Sequence, residues 1–384
     1  MASDKPIVKA LPVLFGFFVM GFCDLVGISS SYVKQDFALS DTLSNLLPAM
    51  VFLWFAVFSV PTGLFMNKIG RKNTVTLSMV ITIVALIVPL VTYDFVMVLI
   101  AFALLGIGNT ILQVSLNPLV SNVVKPERLT SSLTLGQFIK AISSFSGPVI
   151  AGTAAYTLGN WKLTFPIFAV ITLISTLWLI FTSIEREETT VITTSFGASF
   201  KLLGDRTILF LFLGILFVVG VDVGMNTATP KFLMERTGMA LEKAGLGTSL
   251  YFAARTAGAL TGAILLVKFS SKKFFRISMI TAIAALLIMI LLKNTIGIFI
   301  MVAVIGFTIA NIFSIIFSIA LQKMPSRANE ISGLMTMGVA GGAIFPLLMG
   351  VMADIMGQTG ALLVILGCMV YLLAAAFLIK SEVK

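Results

Sequence analysis

The sequence has no histidine, only two cysteines and few charged residues. The absence of histidine removes histidine metal sites and the commonest general base, so an enzyme is not expected. Cys23 and Cys368 both lie in apolar segments, which argues against a disulfide framework or a cysteine metal cluster. Charged residues make up 11% of the 384 residues, against about 25% in soluble domains. A soluble domain is therefore excluded.

The chain is instead rich in long apolar runs. Hydrophobic residues make up 58% of it, and apolar runs of about 18 residues or more recur from end to end, as in a polytopic membrane protein. The net charge of +10 fits loops held in the cytoplasm by lysine and arginine better than it fits nucleic-acid binding. Lys5 and Lys9 precede the first run without a small-residue cleavage site, so we expect a retained first helix.

Charges and turn residues divide the apolar runs into twelve predicted spans. The one extended polar stretch, about 185–206, predicts a cytoplasmic linker between an N-terminal bundle (1–184) and a C-terminal bundle (207–384). The fold class expected is all-α and integral to the membrane. The predicted spans are 8–31, 43–66, 74–93, 95–122, 130–158, 163–184, 207–229, 243–267, 275–292, 295–321, 328–356 and 358–380.

The distribution of basic residues predicts the orientation. With the N-terminus inside, segments on the cytoplasmic side hold 18 lysines and arginines, and the outer loops hold 6. The other two, Lys140 and Arg255, fall within spans. This bias places both termini in the cytoplasm.

The two halves of the chain resemble each other at an offset of about 200 residues. Gly16 and Asp24 in span 1 are eight residues apart, as are Gly214 and Asp222 in span 7. The Pro-Gly-Gly spacing of span 5, at residues 148, 152 and 159, recurs in span 11 at 346, 350 and 357. Parallel six-helix repeats place a substrate near the bilayer midplane between the halves, which favours a transporter working by alternating access.

The loop after span 2 resembles a motif of the major facilitator superfamily. It reads GLFMNKIGRKN, residues 63–73, with Asn67 in place of the motif's usual acid. Lys68, Arg71 and Lys72 are therefore predicted to act in gating at the inner face; the alternative is an ordinary basic loop on the cytoplasmic side.

Longer stretches resemble the fucose–galactose–glucose:proton symporter family within that superfamily. They are GIGNTILQVSLNPLVSNV in span 4, LTLGQFIKAISSFSGPVIAG in span 5, and NIFSIIFSIALQ and GLMTMGVAGGAIFPLLMGVMADIMG in spans 10 and 11. Gln113 stands where the family has a glutamate, and Lys140 where it commonly has an asparagine. The family's acid in span 1 would fall near Gly27 or Ile28, one turn beyond Asp24. The departures leave both H⁺ and Na⁺ open as the coupling ion.

Four charged residues within the spans are the first candidates for function, because an ionised group there costs about 2.5–3.5 kcal/mol and normally faces a cavity or a partner. Asp24 and Lys140 are predicted to couple transport to a cation by exchanging partners; the alternative is a static structural pair. Asp222 and Arg255 are predicted to form an ion pair, either for gating and structure or for substrate contact.

Uncharged polar residues recur at helical spacing and could line a cavity, where amides suit the hydroxyls of a sugar. The alternative is interhelical packing, which we expect for Asn117 and Gln322. The stripes are Asn109, Gln113 and Asn117; Gln137, Lys140 and Ser144; Asp222 and Asn226; and Asn311, Ser318 and Gln322.

Trp54, Tyr251 and Phe345 are candidates for an apolar platform under a sugar ring, Trp54 foremost. Together these features predict a secondary transporter in the inner membrane that imports a hexose or related sugar with H⁺ or Na⁺. It would need no cofactor or metal, and the fold is compatible with a monomer. An organic-anion carrier using Lys140 and Arg255 is the nearest alternative, ahead of a drug exporter or a membrane sensor.

Overall fold

The computed structural model describes residues 6–124, 126–185, 200–266, 270–324 and 328–378. Within these ranges the helices join end to end into twelve rods that correspond to the twelve predicted spans. Ten rods are long and apolar enough to cross a membrane by length and composition. The other two are spans 5 and 8, whose hydropathy is lowered by polar residues that include Lys140 and Arg255. The predicted all-α membrane fold is confirmed.

The rods keep the numbers of the predicted spans. Their bounds are as follows: span 1, Pro6–Met20, Gly21–Leu25 and Val26–Asp36; span 2, Leu46–Ile69, after a short helix Asp41–Ser44; span 3, Arg71–Val91; span 4, Phe95–Ser121; span 5, Pro126–Leu158; span 6, Thr164–Phe181; span 7, Arg206–Thr237; span 8, Leu241–Leu265; span 9, Ser271–Leu291; span 10, Thr295–Ile309 and Ile312–Lys323; span 11, Ala328–Met337, Gly338–Ala340 and Gly341–Met356; span 12, Gln358–Leu378.

Two details differ from the sequence-based expectation. Spans 1, 10 and 11 are interrupted, spans 1 and 11 by 3-10 turns, whereas each was predicted as one run. Span 7 continues to Thr237 instead of ending near residue 229, which places Lys231 inside the helix. Of the predicted linker, residues 186–199 lie outside the described residues, and residues 200–204 are already helical. We call residues up to 185 the N half and those from 200 the C half.

The internal repeat is visible in how the spans touch. Gly106 of span 4 lies against the carbonyl oxygen of Val51 in span 2, where a side chain would clash. Gly306 of span 10 lies in the same way against the carbonyl oxygen of Tyr251 in span 8. Both residue numbers differ by 200 between the halves (251 − 51 and 306 − 106). The same close packing therefore builds both six-helix bundles.

Two of the hydrogen bonds between the halves lie toward the same side of the molecule. Asn45 Nδ2 donates to the carbonyl oxygen of Pro346 at 2.9 Å, and Ser249 Oγ donates to that of Phe145 at 3.0 Å. This side carries the loop of residues 37–40, which the lysine and arginine count assigns to the outside. We call it the outer face; the orientation itself stays a prediction.

Candidate functional site

Asp24 lies in the interruption of span 1, the 3-10 turn Gly21–Leu25. A Cβ atom at Gly21 would lie 2.6 Å from the Cβ of Ser143 and 2.7 Å from the carbonyl oxygen of Lys140, both in span 5. Glycine at this position therefore lets spans 1 and 5 approach closely. That approach brings the half-buried Asp24 carboxylate to the polar side of span 5.

The hydrogen-bond partners of the Asp24 side chain are neutral. Ser144 Oγ donates to Asp24 Oδ2 at 2.5 Å, and Cys23 Sγ lies 3.7 Å from Oδ1. Lys140, one turn before Ser144, forms no ion pair with Asp24 within 4.0 Å. Ser144, which the sequence placed only in a polar stripe, is thus the direct partner. The exchange of Asp24 between partners stays a prediction.

Asp222, the repeat counterpart of Asp24, is held quite differently. Arg255 Nη2 lies 3.1 Å from Asp222 Oδ2, so these two residues form an ion pair between spans 7 and 8. Tyr251 Oη also donates to Asp222 Oδ1 at 2.7 Å. A bonded cation and a hydroxyl therefore occupy both carboxylate oxygens.

The two acids belong to one electrostatic cluster. Lys140 acts electrostatically on Asp222 and on Cys23, the neighbour of Asp24. Asp24 in turn acts on Asp222 and Arg255. The cluster contains two negative and two positive side chains and is formally neutral.

Asn226 connects the cluster across the two halves. Its Nδ2 donates to the backbone carbonyl of Asp24 at 3.0 Å, and its Oδ1 is buried with no partner in the described part of the chain. Gly27 leaves the space for this side chain, because a Cβ there would overlap Asn226. A predicted substrate residue therefore touches the turn that carries Asp24.

Asn109 and Asn311, also predicted to bind substrate, are buried and bonded to backbone. Asn109 Nδ2 donates to the carbonyl of Met20 at 2.7 Å, next to the interruption of span 1. Asn311 lies at the interruption of span 10, and its Nδ2 donates to the carbonyl of Gly258 at 2.8 Å. Their amide groups brace interrupted helices in this conformation, which favours the packing role over substrate contact.

The other predicted ligands differ in exposure. Gln137 is exposed and Gln113 half-buried. Trp54 is half-buried too, although its Nε1 atom is buried without a partner among the described residues. Tyr251 is fully buried and Phe345 is 7% exposed, so neither ring offers a free face to a sugar in this conformation. Trp54 remains the candidate for a platform.

Two of the basic loop residues, Arg71 and Lys72, form hydrogen bonds within the N half. Arg71 Nη1 donates to Asn122 Oδ1 at 2.6 Å and to the carbonyl of Pro118 at 3.1 Å. Lys72 Nζ donates to the carbonyls of Ile180 and Thr182, at 2.9 and 2.8 Å. These bonds join span 3 to the ends of spans 4 and 6. Lys68 is exposed, and gating by the three basic residues stays a prediction.

A family model described as Major Facilitator Superfamily matches residues 13–346. The glucose/galactose transporter of Brucella abortus biovar 1 (strain 9-941) is 26% identical over 375 residues, which are 93% of this chain and 90% of the relative.

Among the solved structures that share the fold are two transporters. A bacterial homolog of the human lysosomal transporter Spinster has a TM-score of 0.79 at 17% identity, covering 98% of this chain and 96% of the other. The E. coli fucose:proton symporter has a TM-score of 0.68 at 18% identity, covering 98% of this chain and 100% of the other.

Proposed function

Because the chain belongs to the major facilitator superfamily and is a multi-pass membrane transporter rather than an enzyme, we propose that it imports a hexose together with a cation. The proposal depends most on one observation, the Asp24 carboxylate held by Ser144 inside the interruption of span 1. A carboxylate with neutral partners in a span can bind a proton or Na⁺ and lose its charge.

The substrate class rests on the relatives and on the charge of the cluster. The glucose/galactose transporter relative covers most of this chain. The formally neutral cluster around Asp24 and Asp222, with amides nearby, suits an uncharged polyol, because each hydroxyl can both donate and accept a hydrogen bond. We favour H⁺ over Na⁺ because of the resemblance to proton symporters. The location proposed is a bacterial inner membrane, with both termini in the cytoplasm.

A sugar acid is the second candidate substrate. Arg255 is paired with Asp222, but Lys140 forms no ion pair with a described residue. A uronate carboxylate could take the free ammonium of Lys140 as its partner. This alternative requires Lys140 for binding, whereas a neutral sugar does not.

The test is uptake into proteoliposomes of labelled glucose, galactose, fucose and glucuronate. Inward gradients of H⁺ and of Na⁺ are imposed separately, and Lys140→Gln is compared with the unaltered protein. We expect one cation gradient to drive accumulation of a neutral hexose. Accumulation of glucuronate alone, lost in Lys140→Gln, would replace the sugar proposal with the anion alternative. Failure of every substrate under both gradients would contradict both.

A further inference from the structure

A second cluster of charged residues joins the halves at the outer face. The Asp41 carboxylate in the short helix of the N half is 2.6 Å from Lys34 Nζ and 3.4 Å from Lys231 Nζ of span 7. Lys231 is only 6% exposed, and its ammonium also donates to Ser44 Oγ at 2.8 Å and Asn45 Oδ1 at 2.9 Å. All three of these partners of Lys231 belong to the N half.

Span 11 of the C half reaches the same short helix from another direction. The Asp354 carboxylate accepts hydrogen bonds from the backbone N–H groups of Asp41 and Thr42 at 2.7 and 3.0 Å. It also accepts from Thr42 Oγ1 at 2.5 Å. Asp41 is therefore the centre of the cluster, because its side chain binds span 7 while its backbone binds span 11.

The internal repeat allows this cluster to be compared with the corresponding positions of the other half. A Cβ at Gly350 in span 11 would lie 2.7 Å from the Cα of Thr42, and a Cβ at Gly152 in span 5 would lie 2.8 Å from the carbonyl oxygen of Glu242. The two glycines are 198 residues apart (350 − 152) and pack the outer ends of spans against the opposite half in the same way. At the repeat positions of Lys231 and Asp354, however, the N half has Val33 and Tyr156. Among the described residues, this ionic contact is found on the Asp41 side of the outer face alone.

A buried ammonium tolerates the loss of its partners poorly, because it would be left desolvated and uncompensated. Lys231 keeps all its bonds only while the short helix of the N half lies against spans 7 and 11. Separation of the halves at the outer face would break the bonds of Lys231 and Asp354 to the N half. These contacts therefore distinguish a conformation closed at the outer face from one open there.

We propose that Lys231 and Asp354, acting through Asp41, are positioning residues that hold the outer face shut and set the balance between the two access states. The proposal rests on transport by alternating access, but not on which sugar or cation is carried. Weakening these contacts should shift the population toward the state that is open at the outer face and closed at the opposite one.

The test is cysteine labelling of purified protein in detergent, with no substrate added. Both native cysteines are replaced, and one reporter is introduced in each protein. Ser249→Cys reports on the outer face, because Ser249 is 2% exposed and bonded across the halves. Gln137→Cys reports on the opposite side, where Gln137 is exposed. Labelling rates with a hydrophilic maleimide are compared for Lys231→Met, Asp354→Asn and Arg236→Met.

We expect Lys231→Met to raise the labelling rate at position 249 about tenfold and to lower that at position 137. Asp354→Asn should change both rates in the same directions, and it carries the test alone if Lys231→Met fails to fold. Arg236→Met is the matched control, since Arg236 lies in the same helix but bonds Ile290 and Thr359 within the C half. It should leave both rates unchanged.

Two results would overturn the proposal. One is an unchanged rate at position 249 in a folded Lys231→Met or Asp354→Asn protein. The other is a rise at both reporters, which indicates general loosening instead of a shift between access states. Because no substrate is used, these outcomes are independent of the sugar and cation proposed above.

Discussion

Asp24 and Asp222 occupy corresponding positions in the two halves, 198 residues apart (222 − 24), yet their surroundings differ. Asp24 lies in an interrupted helix and accepts a hydrogen bond from the neutral Ser144. Asp222 lies in the continuous span 7 and is bonded to both Arg255 and Tyr251. An aspartate is therefore present at the corresponding position of both halves, but its bonding partners differ.

This difference in bonding partners indicates two different roles for a carboxylate within a membrane. A carboxylate paired with arginine stays ionised, because arginine keeps its charge at any physiological pH. A carboxylate with only neutral partners is stabilised less and can exchange its charge for a bound cation. On this basis we propose that Asp24 couples transport to a cation and that Asp222 holds spans 7 and 8 together.

The largest effect expected is that of Asp24→Asn. The amide cannot bind the coupling cation, so a cation gradient should no longer drive accumulation, and the steady-state sugar concentration inside should fall to that outside. Exchange of sugar across the membrane without net cation movement should continue. Gradient-driven uptake and counterflow in the same proteoliposomes measure the two activities. The matched control is Asp36→Asn, since Asp36 is in the same span but bonds Tyr93 and Trp161 at the outer face.

The next effect expected is a loss of stability in Asp222→Asn. Removing the carboxylate leaves the Arg255 charge without its partner, at a cost of about 3 kcal/mol, near the low end for buried pairs because a third of the Arg255 side chain is exposed. Thermal unfolding in detergent should occur several degrees lower. The double variant Asp222→Asn with Arg255→Gln should recover most of the loss. A stable single variant, or a double variant that recovers nothing, would show that the pair is not structural.

The smallest effect expected is that of Ser144→Ala. Without the serine hydroxyl, the Asp24 carboxylate loses a hydrogen bond to its charged form, worth about 1.5 kcal/mol or more. It should then bind the coupling cation more readily, so the half-saturating cation concentration should fall about tenfold. Initial uptake rates against cation concentration measure this. Ser143→Ala is the control, because Ser143 Oγ has no partner in the described part of the chain; an equal shift in both variants would contradict the assignment.

Most of the fold could be predicted from sequence because it depends on patterns that the bilayer imposes. Apolar length, basic loops and the repeated glycines identify twelve spans and two related halves. The interruptions in spans 1, 10 and 11 could not be predicted, because they depend on how other spans pack. At Gly21, for example, span 5 packs directly against the turn that carries Asp24. The end of span 7 at Thr237, by contrast, has a local signal in Gly238, whose positive φ of 67° terminates the helix.

The sequence predicted which residues form the candidate site, but not which of them bond to one another. The pair Asp222–Arg255 follows from two opposite charges in adjacent spans, each needing compensation. Lys140 and Ser144 are one helical turn apart in span 5, and the sequence alone does not show which of them contacts Asp24. Lys231 was counted with the outer loops, because a basic residue at the end of an apolar run usually faces water. Its burial follows from Asp41 and Asn45 of the other half.

The assignment of cation coupling to Asp24 and not to Asp222 is tested most directly by cation influx driven by sugar alone. An inward gradient of the transported sugar is imposed on proteoliposomes with equal cation concentrations on both sides, and H⁺ or Na⁺ influx is recorded. We predict influx in the unaltered protein and in the double variant Asp222→Asn with Arg255→Gln, and none in Asp24→Asn despite continued sugar movement. Cation influx of normal stoichiometry in Asp24→Asn would contradict the account.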